Sequence, residues 1–91
     1  MEEKHYVYCL CQYNDELDSM YIAELYVPKK FRRKGYGKAA IDEAIGFIRD
    51  NNVKYVRLSV RRFSWKTKWY QRLGFKVYKR KGLYNWMVKE L

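Results

Sequence analysis

The sequence predicts an α+β domain whose mixed β-sheet is built in the chain order β-β-α-β-α-β-β. Two observations lead to this prediction. Short runs rich in β-branched and aromatic residues alternate with two helix-like runs, and a basic turn spaced by two glycines joins a strand to a helix. The chain of 91 residues has no internal repeat, linker or low-complexity segment, so one domain over residues 1–91 is expected.

The first two strands are expected to pair as an antiparallel hairpin. Residues 5–13 and 20–27 are the strand-like runs, and the polar segment 14–19 is the turn between them. Pro28 ends the second strand because proline has no N–H to donate to a neighbouring strand.

The clearest helix is predicted over residues 38–51 and is closed by two asparagines. It carries one apolar stripe at helical spacing, formed by Ile41, Ala44, Ile45 and Ile48. The alternating run 53–60 follows as a strand. A helix between two strands favours a right-handed crossover, so this strand is expected to lie parallel to the run 20–27.

The last third of the chain predicts a short helix and a hairpin. Ser64 is a candidate N-cap for a helix over residues 65–73, and Gly74 is a candidate stop. The runs 75–80 and 83–91 are expected to pair around the turn Lys81-Gly82.

The turn at residues 32–38 is the strongest functional signal. Its sequence, Arg-Arg-Lys-Gly-Tyr-Gly-Lys, lies between a strand and a helix, where unpaired N–H groups and the helix dipole favour an anion. Six of the ten residues from 29 to 38 are Lys or Arg, which indicates a phosphate-bearing ligand. The spacing is neither the dinucleotide-binding G-x-G-x-x-G nor a P-loop.

Two motifs resemble those of the GNAT superfamily of acyl-CoA N-acyltransferases. The segment from Leu25-Tyr26-Val27 through Arg32, Gly35 and Gly37 into a helix is similar to motif A of that family. The segment from Trp69-Tyr70 to Gly74-Phe75 is similar to the end of its motif B. The resemblance covers about residues 21–75.

The resemblance implies an acetyl-CoA-dependent N-acetyltransferase. Main-chain N–H groups of the turn would hold the cofactor's diphosphate. The residues that supply them are Arg32, Arg33, Lys34, Gly35, Tyr36, Gly37 and Lys38. The pantetheine arm would lie in a gap between the splayed central parallel strands, against Leu25, Tyr26 and Val27. The Tyr70 hydroxyl would protonate the leaving thiolate, and Glu24 is the candidate base that deprotonates a primary amine. A β-bulge would decide which way Glu24 faces.

The family's N-terminal strands and helices have no counterpart in this sequence. An acceptor pocket that is open, or completed by a second subunit, is therefore expected. The run 5–13 would be an exposed sheet edge, which makes a homodimer plausible.

Composition narrows the possible partners. The net charge of +10 and the 19% aromatic content also suit a nucleic-acid-binding module, but no RNA- or DNA-binding motif accompanies them. No metal site is expected, because Cys9 and Cys11 are the only cysteines and His5 is the only histidine. No signal peptide or membrane-spanning run is visible, so a reduced cytoplasmic compartment is expected.

The acceptor is the least determined feature. The acidic residues Asp15, Glu16 and Asp18 are a candidate attraction for a cationic amine. A second basic group surrounds the short helix and is either a solvated face or a contact for the 3′-phosphate of coenzyme A; it comprises Arg61, Arg62, Lys66, Lys68 and Arg72. A domain that binds coenzyme A without catalysis is the third alternative.

Overall fold

The structure, a computed structural model, describes residues 6–91. Five strands and two α-helices follow one another as predicted: β1 (Tyr8–Asn14), β2 (Ser19–Tyr26), α1 (Tyr36–Asp50), β3 (Tyr55–Arg61), α2 (Lys66–Arg72), β4 (Lys76–Lys81) and β5 (Tyr84–Glu90). The predicted first strand began at His5, which lies outside the described residues.

The strands form one mixed sheet in the spatial order β1-β2-β3-β5-β4. Strands β1 and β2 are an antiparallel hairpin, and β3 lies parallel to β2 through the α1 crossover, both as predicted. The last hairpin inserts β5 between β3 and β4. Strand β1 is one edge of the sheet, as expected.

Helix α1 begins two residues earlier than the sequence predicted. Gly35 has a φ of 83°, and its carbonyl accepts the N–H of Ala39 at 3.0 Å, so the first helical turn starts at Tyr36. At the other end Asn51 donates its side-chain amide to Phe47, and Asn52 adopts a left-handed conformation that ends the helix.

Helix α2 is shorter than predicted by one residue at each end and stops before Gly74 as expected. The Ser64 hydroxyl accepts the N–H of Lys66 at 3.1 Å, and Gly74 has a φ of 97°. The left-handed glycine lets Gly74 and Phe75 donate back to the last turn of the helix.

Both helices contribute to one hydrophobic core. The stripe predicted on α1 supplies Ile41, Ile45 and Ile48, and alternate residues of β3 supply Val56, Leu58 and Val60. Tyr70 and Phe75 pack into the same cluster with their ring centroids 5.5 Å apart. One sheet face is thus covered by helices, while β3 residues that alternate with the core, such as Arg57 and Ser59, are only half-buried.

Candidate active site

The two parallel strands separate after three residue pairs. Strand β2 pairs with β3 only from Ser19–Tyr55 to Tyr21–Arg57, whereas β3 stays paired with β5 as far as Arg61. Within the described part of the chain, the rest of β2 is bonded to β1 alone. The separation leaves one edge of β2 free, and this is the splayed central pair that the sequence analysis expected.

A cleft of about 800 Å³ opens beside that free edge. Strand β2, the turn after it and helix α2 form its walls, which comprise Leu25, Val27, Phe31, Arg32, Arg33, Gly35, Gly37, Lys38, Trp65, Lys66, Trp69 and Tyr70. The slot, the basic turn and Tyr70 therefore meet at one place.

The turn has the geometry of an anion cradle. Arg33 and Gly35 both have positive φ, 63° and 83°, which aims successive N–H groups into one concavity. Residues 6–91 offer no well-formed hydrogen-bond acceptor to the N–H groups of residues 33–38. The positive end of α1 points at the same place, so an anionic ligand would satisfy these groups.

Arg32 stabilises the turn. Its Nε donates to the carbonyl of Val27 at 3.0 Å, which ties the start of the turn to the end of the strand. Phe31 donates its N–H to Pro28 at 2.8 Å and packs edge-on against Tyr36, with ring centroids 5.7 Å apart.

Most residues predicted to contact the cofactor line the cleft, but three do not. Tyr26 stacks on Tyr8 at 5.3 Å, and Lys34 and Tyr36 are exposed beside the cleft. Their predicted contribution was through main-chain groups, and the positions of their side chains do not test it.

Glu24 is exposed and does not line the cleft. The pairing shifts by one residue between Leu10–Glu24 and Cys11–Ile22, which leaves Ala23 as a β-bulge. Because directly paired residues share a face, the bulge puts Glu24 beside Leu10, on the face opposite the helices, while Leu25 faces the cleft.

Tyr70 is the buried titratable group of the cleft, with 6% of its surface exposed. Burial, with the nearby Cys9 as a smaller cause, raises the pKa of Tyr70 to about 12. The hydroxyl is therefore neutral and able to donate a hydrogen bond throughout the physiological range.

This raised pKa predicts a loss of stability in alkali. Above pH 10 an unfolded tyrosine ionises while folded Tyr70 keeps its proton, so the unfolded state binds fewer protons and the free energy of unfolding falls as pH rises. The fall should approach about 2–3 kcal/mol by pH 12. Urea denaturation of the unaltered chain and Tyr70→Phe at pH 8 and pH 11 measures it, because other groups cancel in the difference. An equal fall in the free energy of unfolding between pH 8 and pH 11 in the two proteins would contradict the raised pKa of Tyr70.

Three lining residues were not assigned to the site by sequence reasoning: Phe31, Trp65 and Trp69; Lys66 lines the cleft as well and belongs to the basic group for which a contact with the 3′-phosphate was one of two alternatives. Trp65 is 69% exposed at the rim and meets Trp69 edge-on at 6.4 Å. Trp69 also packs on Tyr70 at 4.9 Å and lies near Gly37. The sequence carried no signal for the two tryptophans beyond their residue type, whose rings can stack on a nucleotide base, because they approach the turn only in the folded chain.

Comparison with known proteins agrees with this geometry. The family model described as "Acetyltransferase (GNAT) domain" matches residues 2–77. A search of curated protein sequences finds no significant match.

Solved structures with the same fold are numerous. A PaiA N-acetyltransferase from Thermoplasma acidophilum, in complex with coenzyme A, is 27% identical over 81% of this chain and 47% of its own, with a TM-score of 0.75. The ribosomal-protein-S18-alanine N-acetyltransferase from Escherichia coli is 22% identical over 90% of this chain and 59% of its own, with a TM-score of 0.76. Ard1 from Thermoplasma volcanium is 22% identical over 93% of this chain and 62% of its own, with a TM-score of 0.79. The chain thus spans about half to three fifths of the length of these structures.

Proposed function

Because the chain belongs to the GNAT acetyltransferase family, we propose that it transfers an acetyl group from acetyl-CoA to a primary amine by direct attack. The slot beside β2, closed at one end by the basic turn, is the observation on which this proposal chiefly depends. It has a free strand edge for an extended arm and an anion cradle for a diphosphate, as coenzyme A requires.

The main chain would hold the cofactor. The N–H groups of residues 33–38 bind the diphosphate, and main-chain groups of β2 near Leu25 pair with the pantetheine amides as a neighbouring strand would. The carbonyl of Val27 already accepts one hydrogen bond from Arg32. The indole of Trp65 at the rim is available to stack on the adenine.

Tyr70 would act by hydrogen bonding and not by complete proton transfer. A thiol has an ordinary pKa of about 8.5, so a hydroxyl of pKa about 12 is the weaker acid and keeps its proton. Its hydrogen bond stabilises the sulfur as negative charge develops there. The amine loses a proton as it attacks and the bond from carbon to sulfur breaks, so the thiolate takes up one proton overall. The products are an amide and free coenzyme A.

The amine would approach from the sheet face opposite the helices. A cofactor that fills the cleft from the helix side leaves that face open, and Glu24 lies on it. A carboxylate there can accept the amine's proton directly or through water. The acidic turn at residues 15–18 is at the start of β2, far from the phosphate end, and remains a candidate attraction for a cationic amine.

The test combines binding with turnover. Isothermal titration of the unaltered chain with acetyl-CoA should give saturable binding, and a panel of primary amines should then release thiol. Binding without thiol release from any amine would favour a non-catalytic coenzyme A-binding domain. Absence of acetyl-CoA binding, with salt-sensitive binding of nucleic acid, would favour the nucleic-acid module.

Lys66 offers a separate test of how the cofactor is oriented. It is exposed, lines the cleft at the start of α2, and would meet the 3′-phosphate of coenzyme A. Lys66→Ala should weaken acetyl-CoA binding roughly 5–10-fold, typical of one exposed charge-assisted contact. The affinity of the same variant for 3′-dephospho-acetyl-CoA should stay within about 2-fold of that of the unaltered chain.

Lys68→Ala is the matched control for Lys66, because Lys68 is an exposed lysine of the same helix that does not line the cleft. It should leave both affinities unchanged. An equal loss for both ligands in Lys66→Ala would show that Lys66 does not contact the 3′-phosphate.

A further inference from the structure

The excess positive charge of the chain is confined to its second half. Residues 1–50 carry eight Lys or Arg and nine Asp or Glu, whereas residues 51–91 carry twelve Lys or Arg and one acid, Glu90. None of these twelve cations is paired with a carboxylate of the described residues, where the salt bridge lies within α1. The cofactor turn belongs to the first half, so acetyl-CoA leaves most of this charge unused. Such an asymmetry between the halves of a chain indicates a polyanionic partner.

Part of that charge lies on the sheet face opposite the helices, in rows that cross β3, β5 and β4. Directly paired residues share a face, so the register defines three successive rows, each with a β5 residue in the middle and a β4 lysine at one end. The rows comprise Arg61, Tyr84 and Lys81; Ser59, Trp86 and Lys79; and Arg57, Val88 and Lys76. Between them on β5, Asn85 and Met87 are buried on the helix side. The surface made by the three rows, the β3–β5–β4 face, therefore intersperses aromatic rings with cations.

Four aromatic rings lie on or beside the β3–β5–β4 face. Tyr78 and Tyr84 are each 43% exposed, and half-buried Trp86 lies against Tyr21 with ring centroids 6.0 Å apart. Arg57 donates to the Tyr78 hydroxyl and lies 5.2 Å from the centre of its ring, which holds that ring on the same face. Tyr84 and Trp86 stand two residues apart on one strand, so their Cα atoms are about 6.8 Å apart. Each of the two rings can therefore take a separate base.

We propose that the β3–β5–β4 face binds single-stranded nucleic acid. Aromatic rings on an open sheet stack on unpaired bases, and cations beside them contact the phosphates. Strand β4 is an edge of the sheet, so the nucleic acid can run along its row of lysines. None of the residues in the three rows lines the cofactor cleft. This binding surface is separate from the proposed acetyl transfer and does not depend on it.

The chemistry of the face favours nucleic acid over an anionic membrane. The acids on the same side of the sheet, Glu24 on β2 and Glu90 at the end of β5, lie outside the three rows, so the rows present positive charge alone. Phe63 and Leu83, which are 92% and 61% exposed, are the apolar side chains best suited to enter a bilayer. Both lie in turns at the end of the sheet and not on this face. The rings of the face are set among cations, as stacking with phosphate contact requires.

The test measures the fluorescence anisotropy of labelled oligo(U) and oligo(dT) of about 12 nucleotides with the whole chain, without acetyl-CoA, over a range of salt concentrations. Both should bind saturably, and three or four phosphate contacts should give a slope of log affinity on log salt of about −2 to −3. A duplex of the same length should bind more weakly, and excess acetyl-CoA should not displace the oligonucleotide. Absence of binding, equal or tighter binding of the duplex, or displacement by acetyl-CoA would overturn the proposal.

Two charge reversals locate the binding surface. Lys79→Glu and Lys68→Glu change the net charge equally, and both lysines are exposed, but Lys79 lies in the middle row while Lys68 belongs to α2, which covers the other side of the sheet. Lys79→Glu should weaken oligonucleotide binding at least about 10-fold, because it replaces an attraction with a repulsion. Lys68→Glu should stay within about 2-fold, because solvent and salt screen a distant exposed charge. Equal losses in the two variants would refute the assignment to this face.

Tyr84 tests the stacking. Tyr84→Ala should lower the affinity for oligonucleotide about 5–100-fold, the range that corresponds to one lost stack. Tyr84→Phe keeps the ring and should bind within about 2-fold of the unaltered chain. Unchanged binding by Tyr84→Ala would show that the ring carries no base. Binding of phosphatidylserine vesicles that Lys79→Glu weakens, without binding of either oligonucleotide, would assign the face to a membrane instead.

Discussion

Gly37→Glu should abolish acetyl-CoA binding without destabilising the fold. Gly37 is the second residue of α1, and a Cβ there would meet Val27 at 3.5 Å and Trp69 at 3.7 Å, which are ordinary contacts. A non-glycine residue in a helix gains about 0.5–1 kcal/mol, and a carboxylate in the first turn complements the helix dipole. The same carboxylate would lie beside the bound diphosphate, where one pair of like charges at 4 Å costs about 4 kcal/mol. We expect affinity to fall at least about 100-fold in isothermal titration, and the urea midpoint to stay or rise.

Gly46→Glu is the control for the change in net charge. Gly46 lies on the same helix, roughly 13 Å further along its axis, and a Cβ there approaches only the end of the Arg49 side chain, at 3.9 Å. It should bind acetyl-CoA normally. Equal losses of affinity in both variants would indicate a general effect of charge. Normal acetyl-CoA binding by Gly37→Glu would show that the turn does not bind the diphosphate. Gly35 is a poorer position for this experiment, because its φ of 83° makes any side chain strained.

The fold could be predicted where local patterns determine it. The stripe of Ile41, Ile45 and Ile48 has one periodicity, and all three residues are buried as that periodicity requires. The parallel pairing of β2 with β3 followed from crossover handedness. The position of β5 between β3 and β4 could not be predicted in the same way. A hairpin can dock through either strand, and the choice depends on packing against the whole sheet.

The site could be predicted only in part for a similar reason. Backbone requirements leave a trace in the sequence, so the glycines at 35 and 37 were informative. The direction of a side chain leaves a weaker trace in the sequence. One extra residue at Ala23 decides which face Glu24 occupies, and composition does not reveal it. Trp65 and Trp69 belong to the cleft because α2 packs across the slot, which is a tertiary relation.

Tyr70→Phe should lower the rate of acetyl transfer about 100-fold with little change in KM. In the proposed mechanism the hydroxyl stabilises the sulfur as charge develops there, so its removal should affect the transition state more than the bound substrate. Phenylalanine keeps the ring packing against Trp69 and Phe75, at 4.9 Å and 5.5 Å, so folding is preserved. Single-turnover rates with an amine identified in the panel measure the effect, because they are not limited by product release.

The pH profile and a control variant separate catalysis by Tyr70 from a packing role. With a pKa of about 12, the hydroxyl stays protonated at pH 10, so the unaltered chain should show no loss of rate from this group between pH 8 and 10. Tyr84→Phe removes a hydroxyl from β5, outside the cleft, and should leave the rate unchanged. If Tyr70→Phe instead raised KM at constant rate, the hydroxyl would contribute only to binding. If the rate and KM were both unchanged, the leaving thiolate would be stabilised by a group other than Tyr70.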